Sequence, residues 1–178
     1  MRLFTAIDIP TDVKEQILTL LNRLRPLAKI SWSPVENLHI TIKFICEWPE
    51  PRLDEMKRAL TAVPPLPAFD IEVRGLGWFP NPRHPRVFWV GVAGGQPLQA
   101  LAQATEQAVA GLGVPVEQRP YSPHLTLARI KDSVPLESLR SSVSQAEAKS
   151  LGTFRPPAFY LYLSAGGKYT KLAEFPLN

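Results

Sequence analysis

Two of the three histidines in this chain open the same short pattern. His39-Ile-Thr-Ile and His124-Leu-Thr-Leu both read histidine, apolar, threonine, apolar. On a strand, alternate residues share a face, so each histidine stands beside its threonine while the aliphatic residues turn the other way. Imidazole titrates near neutrality, so one ring of a pair can accept a proton while the other donates one. Hydroxyls and cations can hold non-bridging phosphate oxygens and stabilise charge that develops there. With no carboxylate cluster or nucleophilic cysteine beside them, these four residues suit in-line attack at a phosphodiester without a metal. A zinc site is a poor alternative: two histidines fall short of three protein ligands, and threonine is a weak donor. A lone histidine on a strand is usually structural. The duplication is what favours chemistry.

The same alternation predicts Lys43 on the His39 face, where it adds positive charge or reaches out to solvent. It places Phe44 with Ile40 and Ile42 on the other face. Trp78, Phe79, Trp89 and Tyr121 are candidates to stack on a base, with core packing as the competing fate. His84, between Arg83 and Pro85, reads as a solvated loop residue. The single cysteine, Cys46, reads as a small core residue rather than a nucleophile, and excludes an intramolecular disulfide framework. Nothing in the spacing fixes Arg2 or Arg119 at the site.

The elements that must position these residues are short. Nineteen prolines in 178 residues argue for many turns rather than a helical bundle. Strands are expected at 2–9, about 38–45, 69–79, 87–92, 123–130 and 158–164, with the tail from Tyr169 to Leu177 pairing with a sheet. Helices are expected at about 13–24, where Val13, Ile17, Leu20, Leu21 and Leu24 keep helical spacing until Pro26, and at 50–62, 97–110 and 135–149. A 45% hydrophobic content is enough for a real core, and a net charge of +4 suits a phosphate-bearing partner. The charge lacks the dense basic tract of a duplex binder. No apolar run approaches the ~20 residues of a membrane span, and the N-terminus lacks signal-peptide regions, so a cytoplasmic, membrane-free protein is expected.

A faint repeat runs through the chain. Arg2-Leu3-Phe4 precedes the first histidine motif, and Arg86-Val87-Phe88 precedes the second at nearly the same interval, each with a helix between. The pattern reads as a duplicated lobe, each copy contributing one half of a site.

The two motifs, with Arg2-Leu-Phe-Thr-Ala-Ile-Asp-Ile-Pro, Asn37-Leu-His-Ile-Thr-Ile-Lys-Phe, Pro85-Arg-Val-Phe-Trp-Val-Gly-Val, Pro123-His-Leu-Thr-Leu-Ala-Arg and the Ser164…Tyr169…Leu172 tail, resemble the two-histidine phosphoesterases. Within them the chain is most similar to the RNA 2′,3′-cyclic phosphodiesterases, also called 2′-5′ RNA ligases. The resemblance implies an α+β fold of two pseudo-symmetric lobes, with antiparallel sheets flanking a V-shaped cleft and helices outside. It implies one bilobal domain over residues 1–178, monomeric and without cofactor.

It also implies roles. His39 would be the proton donor to the leaving ribose oxygen and His124 the base that activates water, giving a 2′-phosphomonoester. Thr41, Thr126 and Arg129 would hold the phosphate, with Lys43, Phe79 and Tyr121 as further substrate contacts. Strict alternation puts Arg129 on the Leu125 face, so its role requires a bulge or an early strand end. The implied partners are RNA ends with 2′,3′-cyclic phosphate, tRNA fragments or small nucleotides. Ligation would be the same chemistry with a ribose hydroxyl in place of water. The alternatives are a phosphoesterase for ADP-ribose 1″,2″-cyclic phosphate or 2′-5′ oligonucleotides, and a non-catalytic RNA-binding module. The chain departs from the family at Cys46, where glycine is usual.

Overall fold

The computed structural model describes residues 1–146 and 149–177. Its two antiparallel sheets are built from strands β1 (Arg2–Asp8), β2 (Ser31–Trp32), β3 (His39–Glu47), β4 (Ile71–Phe79), β5 (Val87–Ala93), β6 (His124–Arg129), β7 (Ser150–Phe154), β8 (Ala158–Ala165) and β9 (Lys168–Pro176). The first sheet has the order β3-β1-β8-β9 and the second β2-β6-β5-β4-β7. Four helices accompany them: α1 (Thr11–Leu24), α2 (Leu53–Thr61), α3 (Gly95–Ala110) and α4 (Glu137–Ala146). The fold is α+β, as the resemblance implied.

Helix α1 buries the five aliphatic residues picked out by spacing, and its first turn bonds back to Pro10 through Lys14 N–H at 3.0 Å. It packs against β7 of the second sheet, while α3 packs against β3 of the first. At Gly152 a Cβ would come within 2.9 Å of Val13 Cγ2, so the α1–β7 approach leaves no room for a side chain there. The two sheets consequently share one hydrophobic cluster, from Leu3 and Ile7 through Phe88 to Phe175.

The tail pairs as expected. Strand β9 runs along β8 from Ala165–Lys168 to Ala158–Pro176, closed by Gly166 and Gly167, both with positive φ, the conformation that a tight two-residue hairpin demands. Three expectations need correction. Strands β2 and β7 were not foreseen, being short and carrying weak alternation. Helix α4 is described to Ala146, residues 147 and 148 of the expected helix lie outside the described residues, and Ser150 already begins β7.

The third correction concerns the repeat. Phe4, Ala6 and Asp8 on β1 stand opposite Phe44, Thr41 and His39, and Val87, Trp89 and Gly91 on β5 stand opposite Arg129, Thr126 and His124. Phe4 therefore corresponds to Val87, one residue away from the Phe4–Phe88 match suggested by the Arg-Leu-Phe and Arg-Val-Phe triplets. A slip of one residue exchanges the faces of a strand. Phe88 accordingly packs in the core against Trp78, with ring centroids 4.6 Å apart, whereas Phe4 lies beside His39 at 4.7 Å.

Candidate active site

Each histidine sits at the first residue of its strand, and each is fixed in the same way. His39 Nδ1 lies 2.7 Å from the carbonyl of Asn37, and His124 Nδ1 lies 2.7 Å from the carbonyl of Ser122. A carbonyl only accepts, so Nδ1 carries the hydrogen in both rings and Nε2 is left for chemistry. The rings share a field as well, for a charge on His124 disfavours one on His39.

Their surroundings differ in one useful respect. Burial pushes His39 below its ordinary value of 6.5, while the Asn37 carbonyl and the Asp8 carboxylate push the other way. Burial also lowers His124; the Ser122 carbonyl opposes this, and the Arg129 guanidinium lowers it further. Burial is the largest effect on both rings and favours the neutral form of each. Among the charged neighbours, the Asp8 carboxylate favours charged His39 against Lys14, and the Arg129 guanidinium favours neutral His124. Asp8 is held in place by the Tyr162 hydroxyl and by Lys171 Nζ at 2.7 Å.

Both motif strands break their alternation just after the threonine. On β3 the pairing passes from Ala6–Thr41 to Thr5–Lys43, leaving Ile42 unmatched. On β6 it passes from Trp89–Thr126 to Phe88–Ala128, leaving Leu127 unmatched. A bulge of one residue reverses the faces of everything beyond it. On β6 it returns Arg129, opposite Val87, to the face of His124 and Thr126, and the side chain is exposed there. That is the bulge the Arg129 expectation required. On β3 it overturns the expected placement of Lys43 and Phe44. Lys43 turns to the helix side, 6% exposed, with Nζ 2.7 Å from Glu106 Oε1 and 2.8 Å from the Pro115 carbonyl. Phe44 joins the His39 face, 59% exposed and 6.3 Å from Phe4.

The remaining candidates divide. Phe79 stands edge-on to His124 at 5.0 Å and touches Trp89 at 5.1 Å, so both belong to the site. Glycines make the seat for the indole of Trp89: a Cβ on Gly77, directly opposite, would fall 2.1 Å from its ring. Tyr121 reaches across to the other half, its hydroxyl donating to the Thr41 carbonyl at 2.8 Å. Trp78 faces away, packed on Phe88 with Arg140 over its ring at 5.4 Å. Cys46 is exposed with φ 66°, not buried, because a second irregularity in β3 leaves Ile45 unmatched just before it. His84 is exposed in a loop, as expected, and Arg119 pairs with Glu117 at 3.0 Å.

Four residues at the site were missed. Asp8 and Phe4 come from β1, which spacing alone does not register against β3. Tyr169 stands edge-on to His39 at 5.2 Å and is 39% exposed. Phe44 had a signal: like Arg129, it is the fifth residue after its histidine. Among the described residues, no group of three or more His, Cys, Asp or Glu side chains is placed to hold a metal ion, and no helix is long and apolar enough to cross a membrane.

The sequence profile of the LigT-like phosphoesterases matches residues 7–89 and 90–161. An RNA 2′,3′-cyclic phosphodiesterase of Methanocaldococcus jannaschii is 32% identical over 164 residues, 92% of this chain and 91% of the relative. The crystal structure of a Thermus thermophilus protein aligns with a TM-score of 0.80 at 28% identity, covering 99% of this chain and 98% of that one. The structure of E. coli LigT with 3′-AMP aligns with a TM-score of 0.78 at 26% identity, covering 99% and 97%. With the profile spanning both histidine motifs, this chain belongs to the LigT-like phosphoesterase family.

Proposed function

We propose that the protein is an RNA 2′,3′-cyclic phosphodiesterase that opens cyclic phosphate ends to 2′-phosphomonoesters. The observation that carries the reading is the matched pair of histidines, each with Nδ1 tied to a carbonyl and Nε2 left for chemistry, in unlike electrostatic settings. His124, neutral beside Arg129, takes a proton from water as the water oxygen bonds to phosphorus. The bond from phosphorus to the ribose 3′-oxygen breaks, and His39, whose charged form Asp8 supports against burial, delivers a proton to that oxygen. Thr41, Thr126 and Arg129 hold the non-bridging oxygens as their charge grows. A ribose hydroxyl replacing water gives a 2′-5′ linkage in the same site.

Phe44 and Tyr169, two of the exposed large apolar side chains, flank Phe4 beside His39 and offer flat faces to the terminal base. The relatives' activity on RNA 2′,3′-cyclic phosphates and the 3′-AMP bound to E. coli LigT support a nucleotide phosphate as the ligand. The purified protein, assayed with EDTA on short RNAs ending in 2′,3′-cyclic phosphate, should yield 2′-phosphate ends. Intact cyclic ends after prolonged incubation, or activity that depends on an added divalent ion, would defeat the reading.

A further inference from the structure

A groove of about 370 Å³ opens beyond the far end of β6, away from the two histidines. Its walls are the loop between β4 and β5, the segment that follows β6, and the start of α4. Arg83, His84, Arg86 and Arg140 line it, against Asp132 and Glu137. None of these arginines is in an ion pair among the described residues. Elsewhere Lys43 is committed to Glu106, Lys171 to Asp8 and Arg119 to Glu117. Three guanidinium groups outside any ion pair among the described residues therefore line one groove.

The groove is also built. The Asn81 Oδ1 accepts from the backbone N–H groups of Arg83 and His84, at 3.0 and 2.9 Å, which fixes the loop. Arg86 donates through Nη1 to the Lys131 carbonyl at 3.1 Å, leaving its other donors free, and Arg140 rests over Trp78. The groove is joined to the site by backbone: Ile130, next to Arg129, donates to the Arg86 carbonyl at 2.9 Å. From His124 to Ile130 the strand runs about 20 Å, farther than the terminal nucleotide covers.

We infer that this groove holds the phosphodiester backbone of an RNA strand whose 3′ end lies between the histidines. The inference rests on the hydrolase reading for its choice of polyanion. It makes the enzyme one that grips several nucleotides upstream of the cyclic phosphate, rather than one for isolated nucleotides. The arginines supply charge-assisted contacts to successive phosphates, and no base-specific donor is required of them.

Two measurements on one set of variants test this. Fluorescence anisotropy with a labelled hexauridylate reads binding, and turnover of a 2′,3′-cyclic mononucleotide reads the chemistry. Arg83→Glu, whose side chain is exposed, and the triple variant Arg83→Ala/Arg86→Ala/Arg140→Ala should bind the hexamer roughly tenfold or more weakly. The salt dependence should flatten by about 0.7 in log–log slope per contact removed. Mononucleotide turnover and the melting temperature of Arg83→Glu should stay at wild-type values. Unchanged hexamer affinity in both variants, or equal losses for hexamer binding and mononucleotide turnover in Arg83→Glu, would overturn the proposal. A wild-type protein that binds the hexamer through these arginines but leaves cyclic ends intact would support the groove and defeat the hydrolase reading instead.

Discussion

Phe44 and Arg129 occupy the same place in the two halves of the cleft. Each is the fifth residue after its histidine, each follows a one-residue bulge, and each is thereby turned to its histidine's face. One half of a symmetric frame thus presents an aromatic ring where the other presents a guanidinium. This asymmetry matches a substrate with a flat base at one end of a ribose phosphate and a charge at the other.

The two positions should separate in kinetics. If Arg129 holds the phosphate as proposed, Arg129→Ala removes a donor to oxygens that gain charge in the transition state and should lower kcat by ~100-fold or more. Arg129→Lys should recover only part, since an ammonium lacks the planar fork that grips two oxygens. Phe44→Ala should instead raise KM by about tenfold with kcat largely kept, because stacking acts on bound substrate and transition state alike. Steady-state rates on a cyclic nucleotide decide it. A loss confined to kcat in Phe44→Ala, or wild-type kcat in Arg129→Ala, would undo the assignment.

The histidines should give a bell-shaped kcat/KM profile. On the proposed roles, activity should fall on the acid side as His124 gains its proton and on the alkaline side as His39 loses its own. Burial lowers both from 6.5, so the optimum should lie on the acid side of that value. Asp8 raises the His39 value, so Asp8→Asn should shift the alkaline limb to lower pH and leave the acid limb in place. Replacing either histidine by alanine should abolish turnover with the fold intact. A shift of the acid limb alone in Asp8→Asn would exchange the two roles.

The strands, helices and paired motifs were legible because they follow local periodicity and turn chemistry. What was not legible depended on partners far along the chain. The faces of Lys43, Phe44 and Arg129 are set by bulges at Ile42 and Leu127, and a bulge exists only relative to the strand opposite. The alternation assumed for β3 therefore failed past Thr41, whereas His39 and Thr41, before the bulge, were correctly placed together. Strand β7 escaped notice because Gly152 interrupts it, and that glycine answers to Val13 on a distant helix.

Lys43 carries a prediction that follows from this correction. Its ammonium joins β3 to α3 through Glu106 and to the loop before His124 through Pro115. Lys43→Met should leave Glu106 with only the Glu117 backbone N–H as a partner and cost about 1–3 kcal/mol of stability, visible in denaturant unfolding. Its KM should keep the wild-type salt dependence in protein that remains folded. Wild-type stability with a flattened salt dependence would return Lys43 to the phosphate.

Cys46 stands at φ 66°, in the left-handed region that a residue with a Cβ enters at a cost of about 1–2 kcal/mol. Glycine relieves this cost but adds freedom to the unfolded chain worth about 0.4–1 kcal/mol. Cys46→Gly should therefore raise unfolding stability by about 0.5–1 kcal/mol. Cys46→Val should lower it by at least about 1 kcal/mol, since branching at Cβ makes this conformation least tolerable. Cys46→Ala keeps the backbone demand and removes only the sulfur, so both stability and turnover should stay near wild type. The order Gly, then Cys and Ala, then Val in chemical denaturation tests the backbone account. Loss of turnover in a folded Cys46→Ala protein would instead give the exposed thiol a part in the chemistry.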